Sequence, residues 1–299
     1  MGDRLPPANP RRIPAISLER WVEVAEQARR EATPYVIPHG LDGKCSQACT
    51  PELLASEYPN VKVPVTVNLP SGVPYAVPGQ PHERTMRVAD FLQLLVNGAA
   101  SYMNQVPLKL FPALARDIDL GRLRLSPIRA VNLWVGAATR SGLHFDSADN
   151  MFGQIYGSKR VLLVAPQFAR CVYAFADVPS KSQVDPENPD LQKFPRFAEC
   201  PRLEYQLEPG DLLYIPRGWW HFLAADNISI SVNCWHGKSL RRLDRWKSFV
   251  GGGPRIWRRW VRDFVWHGLL GHPFEARLFS PPPLGVRGYR RVRKLFGGK

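Results

Sequence analysis

The chain has 299 residues, of which 44% are hydrophobic and 22% are charged, a balance typical of globular rather than disordered or fibrous proteins. Its 29 prolines and 23 glycines favour short strands and turns over long helices, and no apolar run is long enough to span a bilayer. The net charge of +14 is concentrated in residues 238–299, where 16 lysines and arginines accompany three acidic residues.

The first residues and the cysteines bear on the cellular compartment. Residues 1–12 contain charges and prolines but lack the apolar segment of a secretory signal. An odd number of cysteines without such a signal favours free thiols in a reducing compartment. The five cysteines are Cys45, Cys49, Cys171, Cys200 and Cys234. We therefore expect a cytoplasmic protein whose cysteines are all free.

Residues 1–125 are expected to form an N-terminal extension of helices and strands that packs on the core. Ser17 is a suitable N-cap for a first helix, whose apolar side chains recur at helical spacing until Thr33 and Pro34 end it. The predicted helices cover residues 17–32, 51–58 and 87–98, and the predicted strands cover residues 35–37 and 61–67.

From about residue 126 to residue 237, the sequence pattern changes to short β-rich segments that alternate with turns. The predicted strands cover residues 130–136, 142–146, 150–156, 160–164, 203–207, 211–216 and 227–235. Short antiparallel strands around a buried site are typical of a double-stranded β-helix, the jelly-roll or cupin barrel. The sequence thus predicts a mainly β fold with flanking helices, with residues 126–237 as the core and residues 238–299 as a helical tail.

The last of these strands, residues 227–235, alternates strictly between apolar and polar side chains. The apolar face holds Ile228, Ile230, Val232 and Cys234, and the polar face holds Ser229, Ser231, Asn233 and Trp235. If the apolar face packs outward, the polar face lines a cavity suited to a polar ligand. An edge strand with one solvated face has the same period, so both interpretations stay open.

Three side chains could together bind a divalent metal ion. His144 and Asp146 are two residues apart in a predicted strand, so their side chains point to the same face. His221 follows a turn-rich segment much later in the chain. Two imidazoles and one carboxylate on one side of an ion leave the opposite positions open, as in non-haem Fe(II) oxygenases. A His-x-Asp triplet also arises by chance, in which case its histidine is structural.

Several linked motifs resemble the JmjC/cupin-like oxygenases that use Fe(II) and 2-oxoglutarate, and among these the asparaginyl hydroxylases most closely. The resemblance runs from about Arg12 to Gly237. It is carried by the segments Leu143–Asp146, Asn150–Arg160, Pro209–Pro216, Trp219–His221, Ser231–Trp235 and, for the asparaginyl hydroxylases, Ser182–Pro195. The resemblance implies a hydroxylase that consumes 2-oxoglutarate and O2 and releases succinate and CO2.

The resemblance also implies roles for individual residues. His144, Asp146 and His221 would bind the iron. Lys159 would pair with the distal carboxylate of 2-oxoglutarate, although a lysine after a Gly-Ser turn is also typical of a solvated loop. The residues implied to bind or enclose the co-substrate are Tyr102, Ser141, Asn150, Asn233, Phe152 and Trp235. For Phe152, ordinary core packing is an equally good interpretation.

Three residues depart from the asparaginyl-hydroxylase pattern in the region that contacts the peptide substrate. Ser180 and Lys181 stand where that pattern has an arginine and a glutamine, and Asn104 replaces a further glutamine. The iron and co-substrate half of the site therefore matches the pattern, while the substrate half does not. The resemblance consequently does not identify the substrate.

The basic tail leaves several partners open. Residues 238–250 and 255–270 are predicted to be helical, and the second segment has an apolar stripe suited to the barrel surface or to a homodimer. Residues 289–294 form an arginine-rich patch that suits an acidic peptide, RNA or an anionic membrane surface, and equally a solvated tail.

Three functions are compatible with these patterns. We favour a hydroxylase that acts on an amino-acid side chain of a peptide or protein. A tRNA- or other RNA-modifying oxygenase would use the basic tail to hold its substrate. A non-catalytic cupin protein would only bind a metal ion. Lysine demethylation is a further outcome of the same chemistry, but no accessory domain in the sequence points to it.

Overall fold

The computed structural model describes residues 11–41, 49–69, 83–239, 254–274 and 280–296. These residues form the mainly β fold with flanking helices that the sequence predicts. The strands are β1 (Arg11–Arg12), β2 (Tyr35–Ile37), β3 (Lys62–Thr66), β4 (Glu83–Arg87), β5 (Tyr102–Pro107), β6 (Ile128–Gly136), β7 (Thr139–Arg140), β8 (His144–Phe145), β9 (Asp149–Tyr156), β10 (Lys159–Val164), β11 (Leu203–Leu207), β12 (Leu212–Ile215), β13 (Trp220–Ala225) and β14 (Ser229–His236). The α-helices are α1 (Leu18–Glu31), α2 (Pro51–Glu57), α3 (Val88–Val96), α4 (Pro112–Asp117), α5 (Pro254–Arg262) and α6 (Leu284–Leu295).

Two sheets form the body of the protein. The larger has the strand order β2-β12-β9-β14-β6-β5-β3-β4, and the smaller has the order β1-β11-β10-β13-β7, with β8 also paired to β13. Phe152 and Leu213 of the larger sheet pack with Val161 and Leu163 of the smaller one, so the sheets face each other. This arrangement is the jelly-roll core that the sequence predicts.

Strands from the N-terminal part of the chain extend both sheets. β1 pairs with β11 in the smaller sheet, while β2 to β5 join the larger one. Residues before 126 are therefore hydrogen-bonded into the same sheets as the later strands. The division into residues 1–125, 126–237 and 238–299 stays a prediction.

The alternation of β14 separates an outer apolar face from an inner polar one. Ile230, Val232 and Cys234 belong to an apolar cluster that includes Trp21 of α1 and Phe91 of α3. The intervening residues point between the sheets, because Asn233 and Trp235 line the internal cavity. The structure thus excludes the interpretation of this segment as a strand with a solvated face.

Helix α1 is fixed at its start and along its buried face. The Ser17 side chain accepts a hydrogen bond from the Arg20 backbone N–H at 3.2 Å, as an N-cap does. Trp21 is fully buried, and its indole N–H donates to the Leu123 carbonyl at 3.1 Å. The predicted helices at residues 17–32, 51–58 and 87–98 are all confirmed as α1, α2 and α3, within a few residues at their ends.

The sequence analysis missed the strands β1, β4, β5, β7 and β13, and for β5 and β13 the structure gives the reason. The register of β5 shifts between Met103 and Val106, and Gln105 has a positive φ of 57°, so the strand has no regular alternation. β13 is apolar on both faces apart from His221, and a continuous apolar run carries no period of two.

The predicted strand at residues 142–146 was too long. β8 comprises only His144 and Phe145, and Asp146 follows its end. The Asp146 carbonyl instead accepts a hydrogen bond from the Gly218 N–H at 2.9 Å, which ties it to the turn before β13. The backbone of Asp146 is therefore positioned by a loop-to-loop contact and not by strand pairing.

The segment between β10 and β11 covers the outer face of the smaller sheet. Val184, Phe194 and Phe197 from this segment pack against Trp220 and Phe222 of β13. At one edge, Arg140 and Arg160 form ion pairs with Glu187 and Asp226. These side chains are partly exposed, so the burial of the aromatic groups contributes more to holding the segment down.

The C-terminal residues form a helical pair. α5 continues into a π-helical segment, Asp263–Leu269, which confirms the helix predicted over residues 255–270. A Cβ atom on Gly285 would lie 2.4 Å from the Trp260 carbonyl oxygen, so the close crossing of α6 requires glycine there. Within the predicted helical tail, no separate helix was predicted at α6, because residues 289–294 were interpreted as a basic patch for an anionic partner or as a solvated tail. The helix predicted over residues 238–250 lies almost entirely outside the described residues.

The apolar stripe of the tail is divided between packing and exposure. Ile256 is buried, whereas Val261 and Val265 are exposed by 51% and 40%. The stripe therefore packs against the protein along one side only.

Within the described ranges, no helix is both long enough and apolar enough to cross a membrane. Cys171, Cys200 and Cys234 are free thiols, Cys49 is buried, and Cys45 lies outside the described residues.

His236 at the end of β14 is a buried histidine whose two ring nitrogens have no hydrogen-bond partner among the residues that the structure describes. Burial disfavours its charged form and lowers its pKa from 6.5 to about 4. The unfolded chain therefore binds a proton between these pH values while the folded protein does not. The free energy of unfolding therefore has its full contribution from neutral His236 above pH 6.5. This contribution is lost as the pH falls towards 4.

We expect His236→Phe to flatten the pH dependence of the free energy of unfolding. Between pH 7 and pH 4 the parent protein should lose about 2–3 kcal/mol more than the variant, measured by urea unfolding in the presence of a chelator. His272→Phe, at an exposed histidine, is the control and should leave the slope unchanged. Parallel curves for the parent and His236→Phe would contradict the assignment.

Candidate metal centre

Two strand residues and one loop residue converge at one side of an internal cavity. His144 on β8 and His221 on β13 are directly opposite in the antiparallel register, with ring centroids 4.2 Å apart. Asp146 lies beside them, with a carboxylate oxygen 3.7 Å from His221 Nε2. Potential ligand atoms of all three residues lie within 4.8 Å of one another, close enough to bind one ion.

Backbone carbonyls set the orientation of both imidazole rings. His144 Nδ1 lies 3.0 Å from the Gly142 carbonyl oxygen, and His221 Nδ1 lies 3.0 Å from that of Trp219. A carbonyl can only accept, so each Nδ1 carries the hydrogen and each Nε2 keeps its lone pair. Burial also lowers the pKa of both histidines, which keeps the rings neutral at neutral pH.

The carboxylate of Asp146 is held by an indole. Trp235 Nε1 donates to Asp146 Oδ2 at 3.0 Å. The backbone of Asp146 is separately bound to Gly218, so both main chain and side chain are fixed. Trp235 was predicted to shape the pocket; the structure adds a direct contact with a candidate ligand.

This donor set fits a divalent ion of the kind that non-haem iron enzymes use. Two neutral imidazoles and one carboxylate occupy one side, and the internal cavity lies on the other. Such sites regularly have hydrogen bonds between the metal-binding side chains and neighbouring groups, and these bonds orient the side chains. The three residues therefore have the chemistry and the preorganisation that an iron site requires.

The three candidate ligands open onto a cavity of about 300 Å³ between the sheets. All ten residues that the sequence analysis nominated line this cavity. Seven further residues complete the lining, namely Glu83, Asn104, Gln105, Trp134, Thr139, Lys181 and Leu223. The structure thus brings the nominated residues to one place, while their individual roles stay predictions.

Lys159 is a buried cation on the wall of the cavity. Its residue is 3% exposed, and it forms no ion pair with any carboxylate among the described residues. Burial lowers the pKa of its ammonium group to about 7. The ammonium lies 5.2 Å from the centre of the Phe152 ring. This position excludes the interpretation of Lys159 as a solvated turn lysine and suits an anionic ligand.

A row of amides crosses three adjacent strands of the larger sheet. Asn233 Oδ1 accepts hydrogen bonds from Asn132 Nδ2 at 3.2 Å and from Trp134 Nε1 at 2.7 Å. Asn233 Nδ2 donates to Asn150 Oδ1 at 3.1 Å. The amide oxygen of Asn233 therefore accepts two hydrogen bonds and its amide nitrogen donates one within the wall, which fixes the orientation of the amide.

Two of the nominated residues have contacts that the sequence did not anticipate. The Ser141 hydroxyl donates to the Gly142 carbonyl at 2.9 Å and accepts from the Leu223 N–H at 3.0 Å. It therefore supports the strand ends beside the site as well as facing the cavity. Tyr102 is buried, which raises the pKa of its phenol, and its ring lies 5.8 Å from that of Trp134.

Trp134 lines the cavity and donates a hydrogen bond to Asn233, and the sequence analysis did not nominate it. It lies on β6, paired with Ser231 of β14, and it points inward with Asn132. The alternation in residues 130–136 puts these two side chains on one face. Combining that period with the predicted pairing to residues 227–235 could have identified Trp134.

Residues 21–241 match the protein family described as the cupin-like domain. The chain is 34% identical over 166 residues to lysine-specific demethylase 8 of Xenopus tropicalis, covering 51% of this chain and 37% of that protein. It is 44% identical over 91 residues to tRNA wybutosine-synthesizing protein 5 of Danio rerio, covering 30% and 27% of the two chains. It is 37% identical over 106 residues to JmjC domain-containing protein D of Dictyostelium discoideum, covering 34% and 24%.

The matched regions span less than two fifths of each of these relatives. The family match, in contrast, extends over well over half of the present chain and includes every nominated site residue. The specific resemblance to asparaginyl hydroxylases stays a prediction. The chain therefore belongs to the cupin-like family, and one of the relatives that it resembles is named as a JmjC domain-containing protein.

Proposed function

We propose that the protein is an Fe(II)- and 2-oxoglutarate-dependent oxygenase that hydroxylates a C–H bond, with an amino-acid side chain of a peptide or protein as the favoured substrate. The observation that supports this most strongly is the pairing of two features in one cavity. His144, Asp146 and His221 converge at one side, and the unpaired buried cation of Lys159 lies on the same cavity wall. A metal-binding protein without the co-substrate has no need of the second feature.

The residues of the chain would divide the binding of metal and co-substrate between them. His144, Asp146 and His221 would hold the iron through two imidazole nitrogens and one carboxylate oxygen. Lys159 would pair with the distal carboxylate of 2-oxoglutarate, since a buried ammonium gains most from a permanent negative charge. When bound, iron, 2-oxoglutarate and O2 supply the oxidising chemistry, and succinate and CO2 are released.

The surrounding walls would orient the bound groups and keep water out. Trp235 holds Asp146 in place through its indole N–H, and Asn233 presents a fixed amide surface beside it. Phe152 and Leu223 provide apolar wall near Lys159 and His221. A dry, preorganised pocket strengthens each polar interaction made inside it.

An RNA substrate is a second candidate because of the tail. Arg290, Arg291, Arg293 and Lys294 are exposed on the last turns of α6, and such a surface binds phosphates without sequence preference. One relative is named tRNA wybutosine-synthesizing protein 5.

Another relative is named lysine-specific demethylase 8, so N-demethylation of a protein is a further form of the proposed chemistry. A homodimer through the exposed stripe of α5 stays a prediction.

The oxygenase proposal is tested by following succinate released from 2-oxoglutarate with Fe(II) and ascorbate. Asp146→Ala should abolish turnover, since it removes the carboxylate ligand. Lys159→Met should raise the KM for 2-oxoglutarate by about 10- to 100-fold, as expected for loss of one charge-assisted hydrogen bond. Arg160→Met, on the outer face of the same strand, is the matched control and should leave this KM unchanged. Undiminished succinate formation by Asp146→Ala would refute the proposal.

The contact between Trp235 and Asp146 can be tested without turnover. We expect Trp235→Phe to weaken Co(II) binding by about 10- to 100-fold, because the freed carboxylate must be ordered by the metal alone. The dissociation constant is measured by titration followed in the visible spectrum. Trp134→Phe removes an indole that bonds Asn233 and does not contact Asp146, so its Co(II) affinity should match the parent. Equal weakening in both variants would assign the effect to general loosening of the cavity.

The RNA candidate predicts salt-dependent retention of tRNA. Replacing Arg290, Arg291, Arg293 and Lys294 together by glutamine should weaken tRNA binding and reduce the slope of log affinity against log salt by up to about four. These side chains are exposed, so the fold should persist, which circular dichroism checks. Unchanged affinity would leave the tail without a role in RNA binding and favour the peptide substrate.

A further inference from the structure

A second cavity lies in the C-terminal helical pair. It has a volume of about 440 Å³ and is formed by the π-helical segment Asp263–Leu269, the residues that follow this segment, and α6. The described residues that line it are all different from those that line the cavity beside the candidate metal ligands. Its size falls within the range of about 300–1,000 Å³ that small-molecule sites have.

Close packing of the two helical segments fixes the walls of this cavity. A Cβ atom on Gly268 would lie 2.6 Å from Cβ of Tyr289, so the π-helical segment needs glycine to approach α6 this closely. The chain then turns at Gly271, whose φ is 72°, and the His272 N–H donates to the Trp266 carbonyl at 3.1 Å. The cavity is therefore bounded by packed helices on one side and by a hydrogen-bonded turn on the other.

Several rings line the cavity and are held in place by their neighbours. The His272 ring stacks on that of Trp266, with centroids 4.0 Å apart and 18° between the planes. The His267 ring lies edge to face with that of Phe274 at 6.0 Å, and its Nδ1 donates to the His272 carbonyl at 3.1 Å. Tyr289 adds a further ring from α6. Fixed aromatic surfaces of this kind suit a ligand with a planar ring.

Two guanidinium groups line the same cavity. Arg290 and Arg293 are three residues apart in α6, so their side chains are neighbours on one face of the helix. Neither forms an ion pair or a side-chain hydrogen bond with any of the described residues. Arg259 and Arg262 of α5, in contrast, pair with the buried Asp263. Two available guanidinium groups beside a preformed cavity suit a ligand with two negative charges.

We propose that this cavity binds a phosphate group joined to a planar ring, which is the chemistry of a nucleoside monophosphate. A phosphate monoester carries about two negative charges at neutral pH, and arginine binds its oxygens through paired hydrogen bonds. The aromatic wall beside the two arginines then stacks on the base. Such a unit occurs as a free mononucleotide and at the 5′ end of an RNA chain. The site does not depend on the proposed oxygenase chemistry, because its residues do not line the metal cavity.

The test measures the binding of adenosine monophosphate (AMP) to the full chain by isothermal titration calorimetry in metal-free buffer. Adenosine lacks the phosphate and inorganic phosphate lacks the ring, so we expect each to bind at least about tenfold more weakly than AMP. Replacing Arg290 and Arg293 together by glutamine should weaken AMP binding at least about tenfold, as expected for the loss of two charge-assisted hydrogen bonds.

Arg291 and Lys294 provide a matched control on the same helix. They are also exposed and three residues apart, but they do not line the cavity. Replacing these two by glutamine removes the same amount of charge and should leave the affinity for AMP unchanged. Circular dichroism checks that both double variants keep the fold. Equal weakening in the two double variants would refute the inference, because AMP would then respond to the overall charge of α6.

The other ligands decide the remaining parts of the assignment. If adenosine binds as tightly as AMP, the role of the phosphate is overturned, and if inorganic phosphate does so, the role of the ring is overturned. If AMP does not bind the parent chain, the inference is wrong and the oxygenase proposal is unaffected.

A competition experiment distinguishes the two sources of the ligand. A 5′-phosphorylated oligoribonucleotide that displaces AMP with higher affinity than AMP itself, and that loses this affinity when Arg290 and Arg293 are replaced, identifies an RNA end. Weaker displacement by the oligoribonucleotide identifies a free mononucleotide.

Discussion

The antiparallel pairing of β8 with β13 determines whether this protein has a metal site at all. It places His144 directly opposite His221, and the turn before β13 fixes Asp146 through Gly218. Since side chains alternate between faces, a slip of one residue would turn His221 towards the apolar cluster of Trp220 and Phe222. The register in turn depends on those aromatic side chains being buried under the segment between β10 and β11, which makes the slipped arrangement costly.

The cavity combines rigid polar groups with buried lysines. Asn233 is oriented by three hydrogen bonds to its neighbours, and the hydrogen bonds to Nδ1 of His144 and His221 leave their Nε2 atoms free. Lys159 and Lys181 are buried in the same space, and burial lowers the pKa of each. Such an arrangement is costly in the empty protein and favourable once anions are bound, which is the electrostatic signature of a binding site rather than of a core.

The two halves of the cavity differ in what they indicate about function. The half with His144, Asp146, His221 and Lys159 suits the chemistry shared by iron- and 2-oxoglutarate-dependent enzymes. The half with Lys181 and Asn104 departs from the asparaginyl-hydroxylase pattern, although both residues line the same cavity. The relatives that the chain resembles are named lysine-specific demethylase 8 and tRNA wybutosine-synthesizing protein 5. Because these names refer to different substrates, similarity to the relatives does not decide the substrate of this chain.

The sequence by itself determined the jelly-roll class and the outer helices, because strand period and helix capping are local properties, and the spacing of its histidines and aspartate indicated a metal site. The resemblance to a known family supplied the other residues of the candidate site. It did not determine β13, whose apolar faces have no period, or α6, whose arginines obscure its helical stripe. Tertiary structure alone decided that the indole of Trp235 holds Asp146, that Trp134 joins the Asn233 row, and that Lys181 reaches the metal side. Each of these contacts joins residues far apart in the chain, and strand register and loop packing, which no local pattern encodes, bring them together.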